Sequence, residues 1–129
     1  THNIALTSNI PTNTKLLGYE RDFRQVIINI VKNGIDQLVD HPVASPRIHI
    51  QVEEQCQHIL ITISDNGGGI AKEVLPRIFN AYVSSKSFNG TGLGLYMVKL
   101  IIVEHFDGDV IAYNSDEGAV FRMLLPIRA

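Results

Sequence analysis

The chain has 129 residues, 45% of them hydrophobic, with 11 basic against 13 acidic side chains and a formal charge of −2. This length and apolar content suit one globular domain burying roughly two thirds of its unfolded surface, and they argue for a globular fold against a disordered chain. The near balance of charge excludes a broad basic field for nucleic acid or anionic lipid and leaves room for a small anion held locally. Cys56 is the single cysteine, so no internal disulfide forms and a reducing compartment is expected. No apolar run approaches the roughly 18 residues of a membrane span and no signal-peptide pattern opens the chain. The expectation is a cytoplasmic, monomeric domain spanning residues 1–129, whose parent chain is open to membrane anchoring.

In chain order, Ile4 and Leu6 alternate as a weak first strand, and Lys15 to Glu20 reads as a second short one after a turn at Pro11 and Asn13. From Arg21 to Asp40 the apolar residues Phe23, Val26, Ile27, Ile30, Val31, Ile35 and Leu38 recur at three- and four-residue steps, which predicts an amphipathic helix ended by His41-Pro42. Ile48, Ile50 and Val52 then alternate with polar residues, as do Ile59, Ile61 and Ile63 with Leu60, Thr62 and Ser64. Polar residues 54 to 58 join the two runs as a hairpin. DNGGGI (65 to 70) is a glycine-rich exit, Lys72 to Phe79 a short helix, and Asn80 to Gly90 an irregular loop. A helix from Thr91 to Phe106, apolar on almost every side, is expected to be buried, with Gly108 at its C-terminal stop. Strands near 109–114 and 119–126 close the chain. The sum is an α/β (α+β) two-layer sandwich, one mixed and mainly antiparallel sheet with helices on one face.

Three local patterns carry chemistry. Gln25, Asn29, Asn33 and Asp36 share one polar stripe of the first helix. A solvated face accounts for such a stripe, but asparagine is a poor helix former, and an amide oxygen is a hard ligand suited to a magnesium ion shared with phosphates. Asp65 ends an apolar strand and opens D-N-G-G-G, where the carboxylate either caps its own turn or accepts a hydrogen bond from an exocyclic amine such as adenine N6, with Ile70 as a wall for the ring. Gly90, Gly92 and Gly94 alternate at a helix entrance, as a turn or as a phosphate cradle. The dinucleotide fingerprint fails there because Leu95 replaces its third glycine, and the P-loop fails for want of Gly-Lys-Ser/Thr.

Taken in order, these segments resemble the catalytic ATP-binding domain of sensor histidine kinases in the GHKL ATPase/kinase superfamily. QVIINIVKNGIDQL resembles its N box, SDNGGGI its first glycine box, PRIFNAYVSSK its F box, GTGLGLYMVK its second glycine box, and EGAVFRMLLP its closing strand, over residues 20–126. The resemblance implies the Bergerat fold, with ATP and Mg²⁺ as cofactors. Asn33 would hold the metal, Asp36 would stand among the nucleotide-binding residues, and Asp65 would read adenine N6 while Gly67, Gly69 and Ile70 shape its pocket. Gly90, Thr91, Gly92, Leu93, Gly94 and Leu95 would line the phosphates, with Lys86 on the γ-phosphate. Asn29 stands where the hydrolysing relatives carry a glutamate general base, and an amide cannot take that proton. This favours phosphoryl transfer to a protein, with Asn29 and Lys86 as catalytic candidates.

Departures from the family pattern are Gly34 for the usual alanine, Ala119 for threonine, and the FNAYVSSK form of the F box. None of the five histidines stands in a phosphoacceptor context. The implied partners are therefore a histidine-bearing dimerisation domain, expected on the same parent chain, and a response regulator downstream, with no nucleic acid. An ATPase switch, a serine/threonine-directed kinase and a pseudo-kinase that binds partners without using ATP are the competing readings.

Overall fold

The computed structural model describes residues 4–9, 20–81 and 93–126. Its elements are β1 (Ala5–Asn9), α1 (Glu20–Asp40), β2 (Arg47–Gln55), β3 (His58–Asp65), a one-turn 3₁₀ helix (Leu75–Arg77), α2 (Gly94–Phe106), β4 (Asp109–Asn114) and β5 (Ala119–Pro126). The strands form one five-stranded sheet in the order β1-β2-β3-β5-β4. Only the β1–β2 pairing is parallel.

Period-two alternation sets the register. Ile50 of β2 lies opposite Ile63 of β3, and Ile63 lies opposite Phe121 of β5, so the apolar set of each strand faces the same side. Both helices cover that side. Val26, Ile30 and Leu38 from α1 and Val98, Ile101, Ile102 and Phe106 from α2 join the strand residues in one buried cluster. Phe23 and Phe106 meet edge to face at 6.0 Å where the two helices pack together, and Phe79 meets Phe121 likewise at 6.1 Å. The β2–β3 hairpin turns on Cys56 and Gln57, both with positive φ, as a two-residue loop of this twist requires. Among the described residues no helix is long and apolar enough to cross a membrane.

The two-layer architecture, the α1 bounds and the four strands β2 to β5 follow the sequence expectation closely. Other expectations need correction. The second short strand at Lys15 to Glu20 lies outside the described residues except for Glu20, which begins α1. Ile35, placed on the apolar face by its spacing, is exposed, because the stripe that meets the sheet is narrower than its periodicity suggests. Lys72 to Phe79 yields only three helical residues around Pro76, in keeping with a proline that starts a turn without extending it. Helix α2 is not buried all round: Tyr96, Met97, Leu100 and Val103 are 37–40% exposed, since among the described residues α2 has covering only on the side that faces the sheet and α1. Asp107, not Gly108, takes the left-handed position after α2. Gly108 is required for space instead, as a β-carbon there would stand 2.5 Å from the Leu124 carbonyl oxygen.

Candidate functional site

Helix α1 is the ruler of the site. Asn29, Asn33 and Gln37 stand at four-residue steps, each about 6 Å along the axis, so one stripe spans roughly 12 Å. At one end the Asn29 amide donates to the Gly94 carbonyl oxygen at 3.1 Å, and its own oxygen accepts from Gln25 at 2.8 Å. Residue 29 is therefore tied to the first residue of α2. At the other end Gln37, only 7% exposed, donates from Nε2 to the Gly69 carbonyl oxygen at 2.7 Å. Asn33 lies midway and half-buried. Asp36 is half-buried on the same helix.

The turn after β3 is fixed residue by residue. Asp65 is buried, and its Oδ1 accepts from the Gly67 amide at 2.9 Å and, more weakly, from the Ala119 amide at 3.5 Å. Removal from water pushes its carboxyl above the ordinary 3.8, with the Gly67 and Ala119 amides pulling the other way. The Gly68 amide donates to the Glu117 carbonyl at 3.0 Å. Asn114, at the end of β4, makes a reciprocal pair with Ile70: its Oδ1 accepts from the Ile70 amide and its Nδ2 donates to the Ile70 carbonyl, both at 2.8 Å. Ile70 itself is buried.

Glycine is dictated here by space. A β-carbon on Gly118 would stand 2.3 Å from the Asp65 carbonyl oxygen and 2.7 Å from Oδ1, so β5 can approach the carboxylate only without a side chain at that position. Gly69 combines a φ of 91° with the Asn114 amide 2.8 Å from where a β-carbon would lie. At Gly34 a β-carbon would stand 3.1 Å from Ile48 Cδ1 and 3.7 Å from Asp65 Oδ2, which is the close packing that accounts for a glycine inside α1.

The entrance to α2 differs in kind. Leu93 precedes the helix with no side-chain cap, and no acidic residue occupies the first turn. The first amides of the helix have no intrahelical acceptor and carry the positive end of its dipole. Gly94 is exposed, and space around it is open. Leu95 turns inward to the core. Lys86, Gly90, Thr91 and Gly92 lie outside the described residues.

Of the predicted positions, Asn29 and Gly94 are joined directly, Asp65, Gly67, Gly69 and Ile70 share one turn that Gln37 ties to the same helix, Asn33 and Asp36 lie on that helix between the two, and Leu95 packs in the core. Sequence reasoning missed Gln37 and Asn114. The four-residue step from Asn29 to Asn33 continues to Gln37, a signal that the three-residue step to Asp36 concealed. Asn114 carries none beyond its place at a strand end.

Known proteins share this chain's sequence pattern and fold. Residues 18–129 match the family model described as histidine kinase-, DNA gyrase B-, and HSP90-like ATPase. Sporulation kinase C of Bacillus subtilis is 35% identical over 113 residues, covering 87% of this chain and 25% of that protein. The two-component sensor PprA of Pseudomonas aeruginosa is 35% identical over 134 residues, covering 99% of this chain and 14% of that protein. The chain therefore spans a quarter or less of the length of these relatives. Among solved structures, the catalytic domain of histidine kinase ThkA superposes with a TM-score of 0.78 at 24% identity, over 95% of this chain and 77% of that one. Full-length ShkA in complex with AMPPNP superposes at 0.77 and 23% identity, over 96% of this chain and 26% of that one. The chain belongs to the histidine kinase-, DNA gyrase B- and HSP90-like ATPase family, as an ATP-binding domain of the sensor histidine kinase type.

Proposed function

We propose that the domain holds Mg·ATP along the α1 stripe and supplies the γ-phosphoryl group to a histidine imidazole on a separate dimerising domain. Asp65 accepts from adenine N6, Gly67, Gly69 and Ile70 wall the ring, and the glycine-rich segment from Gly90 to Leu95 turns backbone amides toward the phosphates. Among the described residues no group of His, Cys, Asp or Glu side chains is arranged to hold a metal. Asn33, midway along α1 between the two ends of the site, has an amide oxygen of the kind that fits a magnesium ion taking its remaining ligands from phosphate and water. When bound, that ion neutralises charge on the transferring phosphoryl group. Asp36 and Lys86 complete the nucleotide-binding set, Lys86 as the γ-phosphate contact.

In the transfer an imidazole nitrogen forms the P–N bond, the bond from the γ-phosphorus to the β,γ-bridging oxygen breaks, and ADP leaves. The imidazole proton passes to solvent. The observation that carries transfer over hydrolysis is Asn29: its amide is engaged by Gln25 and the Gly94 carbonyl and has no basic oxygen with which to activate water. The half-exposed apolar strip of Tyr96, Met97, Leu100 and Val103 on α2 fits the docking of a helical acceptor domain beside the phosphate end. The relatives are several times longer than this chain, which supports an acceptor domain on the same parent and a response regulator as the downstream partner. We place the domain in the cytoplasm, where ATP is supplied.

The test supplies the domain, γ-labelled ATP and Mg²⁺ to a purified histidine-bearing dimerisation domain of a sensor kinase. Label that is stable in alkali and released by acid is expected on the acceptor. Acid-stable label, or free phosphate released as fast without the acceptor, contradicts histidine transfer.

A further inference from the structure

The turn from Gly67 to Ile70 is tied to three different elements, and two of its ties come from side-chain amides outside the predicted site. Gln37 reaches it from α1 and Asn114 from β4. Burying a primary amide in a helix flank is unfavourable unless it is hydrogen-bonded. At Gln37 the stem packs on Gly67, where a β-carbon would lie 3.2 Å from Gln37 Cγ, and the head is committed to one loop carbonyl. Asn114 supplies both a donor and an acceptor to one residue, as a neighbouring strand would, from the separate nitrogen and oxygen of one amide. Between them lies Gly69 in a backbone conformation open to few other residues.

We propose that Gln37 and Asn114 are positioning residues that set the affinity of the domain for the adenine end of its nucleotide, by holding the 67–70 turn in its binding shape before ligand arrives. This rests on the nucleotide reading above and adds two residues to it. The physical basis is preorganisation: a turn already fixed loses little conformational entropy when a ring packs against it. Gln37 stands one helical turn beyond Asn33, so the same rigid helix carries the metal-binding amide and the clamp on the adenine wall. The clamp therefore acts on ATP, ADP and adenosine alike, because all share the adenine, and leaves the magnesium dependence of ATP binding to Asn33.

The test is calorimetric binding of ATP, ADP and adenosine, at fixed and varied Mg²⁺, to wild type, Gln37→Met and Asn114→Ala, well below their unfolding temperatures. Methionine keeps the length of glutamine and removes its donor. Each variant is expected to weaken all three ligands by about tenfold, with the ratio of ATP to adenosine affinity and the Mg²⁺ dependence within twofold of wild type. A role confined to stability would lower the melting temperature and leave the affinities of the folded protein unchanged, which overturns the proposal, as does a loss restricted to ATP. Should one variant fail to fold, the other carries the same test. Asp65→Asn separates the two claims. If wild type binds no nucleotide, or binds it no better than Asp65→Asn, the nucleotide reading has failed. If Asp65→Asn abolishes binding while both amide variants match wild type, only the clamp has failed.

Discussion

The two ends of the site are built on opposite plans. Around Asp65 the protein fixes its own backbone: the carboxylate is buried with Oδ1 held by amides, each residue of the following turn is tied to a named group, and Gly69 and Gly118 leave no room for a side chain. At the entrance of α2 the first turn lacks a side-chain cap, Gly94 has open space around it, and the tie to α1 is one exposed amide bond from Asn29. A planar, neutral ring is best read by a rigid wall and a fixed acceptor. A flexible, highly charged triphosphate that must hand over its last group is better met by free backbone amides, with the metal and acceptor completing the site.

The contrast is broken most severely at Gly118. Alanine there would overlap the Asp65 backbone and carboxylate, so Gly118→Ala is expected to lose about 3 kcal/mol of stability in urea unfolding, together with ATP binding. Asp65→Asn keeps the acceptor for the Gly67 amide and removes the charge, and ATP affinity should fall by about 100-fold, the scale of a lost charged hydrogen bond. The same variant should be more stable than wild type near neutral pH. Burial raises the Asp65 carboxyl above 3.8, so the ionised form is the costly one. That cost is absent below pH 3.8 and complete once the pH passes the raised folded value. The stability of Asp65→Asn relative to wild type should therefore rise as pH rises through that window and be constant below it, as melting temperatures measured across pH would show.

At the phosphate end the effects should be smaller. Asn29→Ala removes the bond to Gly94 and should cost about 1 kcal/mol in the same unfolding assay, while slowing phosphoryl transfer more than it weakens ADP binding. Gly94→Ala, the counterpart of Gly118→Ala, meets nothing within 4 Å. It should be neutral or stabilise the helix by up to about 1 kcal/mol, with ATP binding unchanged, because the backbone amide is retained.

Much of this was legible in the sequence, and the reason differs by region. Strands β2 and β3 were readable because alternation of Ile and Val with mainly polar residues has one stable reading on a half-buried sheet. The α1 stripe and Asp65 could be singled out only through their order with the glycine-rich segments, since a solvated helix face and a self-capping turn account for each of them alone. What stayed hidden depends on through-space approach. Gln37 reads as one more polar helix residue until Gly69 is seen against it, and nothing near Asn114 in sequence points 44 residues back to Ile70. The exposed strip of α2 was missed because hydrophobicity alone does not say how many layers will cover a helix.

Asp65 and the α1 stripe, as an ATP site, must bind nucleotide through the buried carboxylate. Calorimetric titration of Mg·ATP into wild type and Asp65→Asn, with both shown to be folded, tests it most directly. Saturable one-to-one binding to wild type, weakened about 100-fold in the variant, is the predicted result; equal affinity in the two proteins, or no binding to wild type at millimolar nucleotide, would contradict it.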